Sequence, residues 1–390
     1  MNLILKLVAG MLVGILLGFF APDWSVRTLL TVSEIVGQLI KFTIPLIILF
    51  YIASGIASLP RDSGKLLGRT VGFAYGSTLI AGILAYLIAA AALPLIAPIA
   101  GAVGQEAALA PYFKLAVPPL FGVISALVAA FVFGTGISAL KADTLRTVFE
   151  QGRDVIERLL GKVVIPLLPL YIAGVFAGMA ADGSVFTTLK AFGVVLVLVI
   201  VLHWLWLSAL FLLTGLMTGR SPLGLIRTML PAYFTALGTM SSAATIPVTL
   251  RQVKALSVSA PIANFTVPLC ANIHLSGSTI TLVTCSIAVM LLTPGVGIPG
   301  LGAMLPFILM LGVIMVAAPG APGGAVMAAL GLLTSMLGFN ETQIALMIAL
   351  YLAQDSFGTA TNVTGDGVIA VWMDKFFGKQ VETFDPKPTN

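Results

Sequence analysis

The chain has 390 residues, 59% of them hydrophobic and 9% charged, with a mean hydropathy of +1.09. A water-soluble domain carries about a quarter of its residues as Asp, Glu, Lys or Arg, so this composition excludes one and requires an integral membrane protein. The formal net charge of +5 and the pI near 9.2 follow from where the basic residues sit, described below, and imply no nucleic-acid partner.

A bilayer core of ~30 Å is crossed by about 20 apolar residues in a helix. Apolar runs of this kind fall at 3–21, 35–58, 71–98, 115–139, 163–180, 189–217, 259–292 and 343–373. They predict an all-α polytopic protein with eight spans, because a β-barrel would show weak alternating segments and not continuous apolar blocks. The first run ends in "GFFAPDW" without a small-x-small cleavage pattern and reads as an uncleaved span.

The loops after spans two, four and six carry Arg61, Lys65, Arg69, Lys141, Arg146, Arg153, Arg158, Lys162, Arg220 and Arg227, and the tail adds Lys375, Lys379 and Lys387. The opposite loops hold little beyond Arg27 and Lys190. The positive-inside rule then places both termini in the cytoplasm. In "KADTLRTVFEQGRDVIERLLGK", charges of both signs surround Val148, Val155, Ile156 and Leu159, which predicts a helix lying on the cytoplasmic face before span five. His203, in "VLHWLWL" of span six, reads as a packed polar residue beside amphipathic tryptophans.

Up to about residue 217 the spans read as plain scaffold, and beyond 222 they are interrupted. "AYFTALGTMSSAATIPVTLRQV" has a break over Ser241–Thr245, and "VIMVAAPGAPGGAVMAALGLL" has one over Pro319, Gly320, Pro322, Gly323 and Gly324. Each predicts a re-entrant hairpin, whose irregular tip is tolerated at membrane depth only inside protein or beside a wet cavity. Each hairpin is followed by a long span with a polar middle, and such paired interruptions mark midplane binding sites in transporters. Span seven carries "NFTVPLCANIHLSGSTITLVT", with Pro268, Asn272, His274, Ser276, Gly277 and Ser278 where its flanks are apolar. The exposed carbonyls and half-helix ends of such a break can hold cations and a carboxylate. Cys270 and Cys285 both lie in this span, which points to packing and not to a disulfide or a zinc site.

The last span contains "QDSFGTATNVTGDGV". Of fifteen acidic residues, only Asp355 and Asp366 lie deep in an apolar run, where an ionisable group is a functional candidate. At about 100° per residue, Asp355, Thr359, Asn362 and Asp366 fall within about 60° of one another on one stripe. Two carboxylates in such surroundings call for a cation or an ammonium group. An intramembrane aspartyl protease needs carboxylates that share a proton, yet these two stand about 16 Å apart on a continuous helix, and "VTGD" lacks the Gly-x-Gly-Asp pattern of that class. A channel would show repeated rings of carbonyls or charges, and none is apparent.

Taken together, the two hairpins, "SSAATIPVTLR", "FTVPL" opening span seven and D-x-x-x-T-x-x-N-x-x-G-D in span eight resemble the dicarboxylate/amino acid:cation symporter family, the prokaryotic glutamate transporter homologues. The likeness covers essentially the whole chain, including "IPLIILFYIASGIASL" and "GKLLGRTVGFAYGST". It implies eight transmembrane helices plus two re-entrant hairpins, assembled as a homotrimer with an elevator mechanism. Residues 1–64 and 110–183 would be scaffold. Residues 65–98 and 184–376 would be transport domain, with hairpins at about 222–257 and 298–337, and 377–390 a cytoplasmic tail.

The resemblance further implies that Asp355 holds a substrate ammonium, with Gly358, Thr359 and Asn362 beside it. Ser241, Ser242, Ser278, Ala321 and Gly323 would complete the substrate site. Asp366 and Asn362 would hold sodium, with Asn272, His274, Ser276, Tyr75 and Thr78 as further cation ligands. Three departures stand out. Gly358 occupies the position where acidic-substrate members carry arginine, so a second substrate carboxylate would be buried unpaired, which costs several kcal/mol by the usual order of magnitude. At the seventh-span break, His274-Leu275-Ser276-Gly277-Ser278 stands where members usually read Asn-Met-Asp-Gly-Thr. Sodium prefers oxygen donors, so at least one cation site is weakened. His274 is then either a proton carrier, since imidazole changes charge near neutral pH, or a neutral bridge between helices.

These readings predict no enzyme and no cofactor. They predict a symporter of a prokaryotic inner (cell) membrane, importing a small neutral amino acid with sodium or protons. The alternative is an unusual site for a dicarboxylate or for glutamate or aspartate.

Overall fold

The computed structural model describes residues 3–57, 64–96, 109–316, 318 and 322–381. Among the described residues the secondary structure is helical, with no strand. In chain order the helices are α1 (Leu3–Phe20), α2 (Asp23–Ala57), α3 (Gly64–Ile96), α4 (Val123–Leu140), α5 (Asp143–Leu159), α6 (Ile165–Ala181), α7 (Val185–Thr218), α8 (Pro222–Thr239), α9 (Ser242–Ala255), α10 (Ala260–Ile273), α11 (Ser276–Leu292), α12 (Leu301–Met315), α13 (Gly324–Met336) and α14 (Glu341–Val381).

Six helical segments among the described residues are long and apolar enough to cross a membrane: Asp23–Ala57, Leu66–Ile96, Val123–Leu140, Asp143–Ala181, Val185–Thr218 and Ala260–Leu292. They match the second to seventh apolar runs of the sequence. The first run corresponds to the shorter helix α1, and the last lies within α14, whose polar stripe lowers its hydropathy. The fourth run, expected from residue 115, becomes helical only at Val123, after Pro118, Pro119 and Gly122. Prolines bias the residues before them away from helix.

The charged stretch before span five is the helix α5, but it does not stop there: a π turn, Leu160–Val164, carries it into α6. Its apolar positions divide between the two sides. Phe149 and Ile156 are buried, whereas Val148 and Val155 are exposed. The Phe50 ring of α2 sets the buried side, lying 5.7 Å from the Phe149 ring and against Gly152.

Both expected interruptions are found where they can be described. Met240, at φ 53°, turns the chain between α8 and α9, and the Ser241 side chain caps α9 by accepting from the Ala244 N–H at 3.2 Å. α8 and α9 lie against each other, as do α12 and α13. Of the second tip, Pro319, Gly320 and Ala321 lie outside the described residues. Span seven breaks at His274–Leu275, between α10 and α11. Cys270 and Cys285 are free and buried.

Packing falls into two sets. Helix α2 touches α4, α5 and α6, and α6 lies along α1. Helices α3 and α7 to α14 pack chiefly on one another around α11 and α14. Every residue of α11 except Leu291 is buried, as expected of a helix apolar on all sides and enclosed by others.

The α1–α6 contact shows how the first set is held. Lipid is as apolar as a leucine side chain, so membrane helices gain from close backbone approach at small residues. Gly10, Gly14 and Gly18 form such a stripe: an added Cβ would lie 2.4 Å from the Pro169 carbonyl oxygen, 2.2 Å from that of Ala173 and 2.5 Å from that of Ala177. Gly14→Ala should therefore push α1 off α6 at a cost of about 1–3 kcal/mol. Thermal unfolding in detergent checks this against Gly72→Ala, a helical site with nothing within 4 Å of the added carbon. Equal melting of the two variants would refute the close approach.

Candidate functional site

The site is built on α14, which runs unbroken through the polar stripe. Asp355 is 4% exposed and Asp366 0%, with Thr359 and Asn362 buried between them. The unbroken helix keeps the carboxylates about three turns apart, too far to share a proton.

At the middle of the stripe, Asn362 ties α14 to the start of α11. Its Oδ1 accepts from the backbone N–H of Gly277 at 2.8 Å and of Ser278 at 3.2 Å. Its Nδ2 donates to Ser278 Oγ at 2.9 Å. The first N–H groups of a helix have no partner within it, and here a neighbouring amide supplies one. The approach requires glycine: a Cβ on Gly277 would sit 2.4 Å from the Gly358 carbonyl oxygen. A Cβ on Gly358 would make ordinary contact with Thr281 Oγ1 and Ser278 N, so residue 358 faces the first turn of α11. His203 supports that turn from α7, with Nε2 donating to the Gly277 carbonyl at 3.0 Å and lying 3.2 Å from Thr281 Oγ1. It is buried, as expected, and also reaches the site's backbone.

The break in span seven brings His274 to Asp366. Nδ1 lies 2.9 Å from Asp366 Oδ1, and Nε2 lies 2.9 Å from Ser77 Oγ of α3. All three side chains are buried, His274 and Asp366 completely. With Nδ1–H donated to the carboxylate, Nε2 accepts from the Ser77 hydroxyl when the ring is neutral and donates to it when the ring is charged. Asp366 Oδ2 and Ser276 Oγ, both fully enclosed, have no hydrogen-bond partner.

At the other end, Asp355 Oδ2 accepts from the Gly323 N–H at 2.7 Å. Gly323, at φ 77°, opens α13, so the positive end of a helix faces the carboxylate. Among the described residues no lysine or arginine pairs with Asp355. Tyr351, one turn earlier on α14, is fully buried. Its hydroxyl lies beside Ser278 and Asp355, yet neither meets hydrogen-bond geometry with it.

Several expected site residues point elsewhere. Tyr75 donates to the Leu309 carbonyl of α12 at 3.0 Å. The Thr78 hydroxyl bonds back to Ala74 O at 2.9 Å. Asn272 is exposed and bonds back to Pro268 O. Asn272 is on an exposed side of its helix and Tyr75 is half-buried, whereas Thr78 is buried with its hydroxyl turned to its own helix; none of these hydrogen bonds joins the three to the cluster around Asp366. Ser242 is buried at the start of α9, which packs on α10 and α14, and Ala321 lies outside the described residues. Ser77, His203 and Tyr351 were missed. Ser77 adjoins Thr78 but lies about 100° round the helix. Tyr351 extends the polar stripe by one turn, a signal the sequence does contain.

The family model for the sodium:dicarboxylate symporter family matches residues 3–376. The chain belongs to this family. Similar proteins include mouse excitatory amino acid transporter 4, 29% identical over 66% of this chain and 46% of the relative, and its rat counterpart, 28% identical over the same shares. The matched region is thus about half the length of those two relatives. A C4-dicarboxylate transport protein of Sphingopyxis alaskensis is 25% identical over 95% of this chain and 87% of its own length. The family and these relatives are transporters and not enzymes.

The amide bridge gives a direct test. Asn362→Ala leaves the Gly277 and Ser278 N–H groups buried without an acceptor, which costs about 1–3 kcal/mol per group. Thermal unfolding should show that loss, while Asn272→Ala, on the exposed side, stays within about 0.5 kcal/mol of the parent.

Proposed function

We propose that this protein is a secondary active transporter of a bacterial inner membrane that imports a small neutral amino acid together with sodium, protons or both. The observation that carries the reading is Asp355, a buried carboxylate that receives one backbone N–H and has no basic side chain paired with it among the described residues. A buried charge left this way is costly. A substrate ammonium supplies the missing charge while it is bound.

Gly358 argues for neutrality of the rest of the substrate. It contributes no charge, and no ion pair with a basic residue occurs along the stripe from Asp355 to Asn362 among the described residues. A second carboxylate would have nothing to neutralise it. A dicarboxylate without an ammonium fits less well still, since Asp355 would repel it. The names of the relatives favour the other reading, an acidic amino acid or a dicarboxylate held in an unusual site. Direct competition separates the two.

In the elevator reading, α3 and α7 to α14 move as one body against a scaffold of α1, α2 and α4 to α6, within a homotrimer whose termini face the cytoplasm. The packing into two sets supports this division. The second hairpin serves as the gate, since its Gly323 already reaches Asp355. Substrate and cation together neutralise the stripe and let the loaded body cross, while a half-loaded body carries uncompensated charge.

The cation side differs from the family pattern. An imidazole and a hydroxyl stand where oxygen-rich ligands are usual, and His274 already occupies Asp366 Oδ1. Asn362 Oδ1 is likewise committed to two N–H groups. Sodium dependence should therefore be shallow.

Two measurements test these points. Asp355→Asn should abolish amino-acid binding in a thermal-shift screen of purified protein, and in the parent aspartate should compete far more weakly than alanine or serine. Unchanged affinity in the variant means the ammonium is held elsewhere, and strong competition by aspartate overturns neutrality. Separately, His274→Asn combined with Ser276→Asp should steepen the sodium dependence of substrate binding. A parent whose binding already rises as steeply with sodium as the double variant's contradicts a weakened cation site.

A further inference from the structure

A fully buried tyrosine hydroxyl without a partner costs about 1–3 kcal/mol, a penalty that phenylalanine in the same space would avoid. Tyr351 has such a hydroxyl. It stands one helical turn from Asp355, and on an unbroken helix that spacing places the two side chains on one face. Asp355 Oδ2 is oriented toward the Gly323 N–H and Ser278 Oγ toward Asn362 Nδ2, and the Tyr351 hydroxyl lies beside both residues without hydrogen-bond geometry to either. The phenol therefore adds a neutral donor and acceptor beside the group that would hold the substrate ammonium, two helical turns before Gly358, which contributes no side chain.

We propose that Tyr351 is a specificity-determining residue whose hydroxyl hydrogen-bonds the neutral polar side chain of the bound amino acid, so that the transporter prefers serine and threonine to alanine and valine. The proposal rests on Asp355 as the ammonium site. A site with a buried polar group discriminates against a ligand lacking its partner, because that group is then left unpaired. Serine differs from alanine by an added hydroxyl, and threonine from the equally branched valine by a hydroxyl in place of one methyl. A tyrosine that merely braced Asp355 would affect all four equally, since all four carry the same ammonium.

The test is competitive binding of the four amino acids to the full-length protein, purified and reconstituted in lipid vesicles. The parent should favour serine over alanine and threonine over valine by about tenfold. Tyr351→Phe should bring both ratios close to one. Ratios that survive the substitution overturn the proposal, as does uniform weakening of all four ligands. Ratios of one in the parent overturn it without any variant. Binding that persists in Asp355→Asn, or a parent that binds none of the four, marks failure of the ammonium reading itself and takes the Tyr351 role with it.

Discussion

A carboxylate deprived of water must be answered by whatever surrounds it, and two such groups on one helix govern how this protein is built. Asp366 is answered from within the protein. The His274 imidazole is fixed against it and is held at its other nitrogen by Ser77, so three helices meet on that charge. Asp355 receives only the N–H at the start of α13. One end of the stripe is thus permanently furnished, and the other is left incomplete. Burying an incompletely paired charge is unfavourable unless something arrives to complete it; Asp355 is left with a single backbone donor, and even Asp366 keeps one buried oxygen, Oδ2, without a partner.

Keeping two carboxylates enclosed demands rigid surroundings, and the α11–α14 contact supplies them. Span seven stops being helical at His274 and resumes at Ser276, which frees backbone N–H groups deep in the protein. Asn362 absorbs two of them, and Gly277 permits the approach that makes this possible. His203 fixes the same turn from a third helix. The polar residues of the break therefore serve one another first: the broken helix is stable because α14 caps it, and α14 can carry its stripe because the broken helix covers it.

The sequence revealed the elements more fully than their facing sides. Apolar runs located most of the helices and the interruptions marked where α8–α9 and α12–α13 turn, and the last-span motif led to the family. Periodicity within α14 placed Asp355, Thr359, Asn362 and Asp366 together, because a long uninterrupted helix obeys its own geometry. Helix-to-helix register was less legible. Tyr75 and Thr78 were assigned to the cation cluster, but the rotation of α3 turns Tyr75 toward α12 and offers Ser77 to His274 instead. In α5 the apolar residues that read together are Val148, Val155, Ile156 and Leu159, and Phe50 of α2 draws in Phe149 beside Ile156 while Val148 and Val155 stay exposed. Both cases turn on which neighbour a helix meets, and nothing local in its own residues encodes that. The glycine stripe of α1 was open to reading, since its four-residue spacing is a known signal for close packing. Its partner, α6, was not.

The boundary between the two packing sets differs in kind from the contacts inside them. Among the described residues its polar part gathers on Glu341 at the start of α14, which pairs with Lys41 and accepts from Gln38, both on α2, while its backbone carbonyl accepts from Tyr171 of α6. The Lys41 and Glu341 side chains are 39% and 29% exposed, and an ion pair open to solvent is worth about 1 kcal/mol or less. The remainder is apolar, with Gly331 of α13 drawn close to Ile44 and Ile48 of α2. Dispersion contacts of this sort are individually weak, so for one face to slide over the other the buried Tyr171 hydroxyl, which donates to the Glu341 carbonyl, is the one of these polar contacts that must find a new partner. The cluster around Asn362 and His274 has no such freedom, since displacing any member strands a buried donor or acceptor. A body that moves as a unit needs costly contacts within and inexpensive ones at its edge, and the elevator reading draws its physical support from that difference.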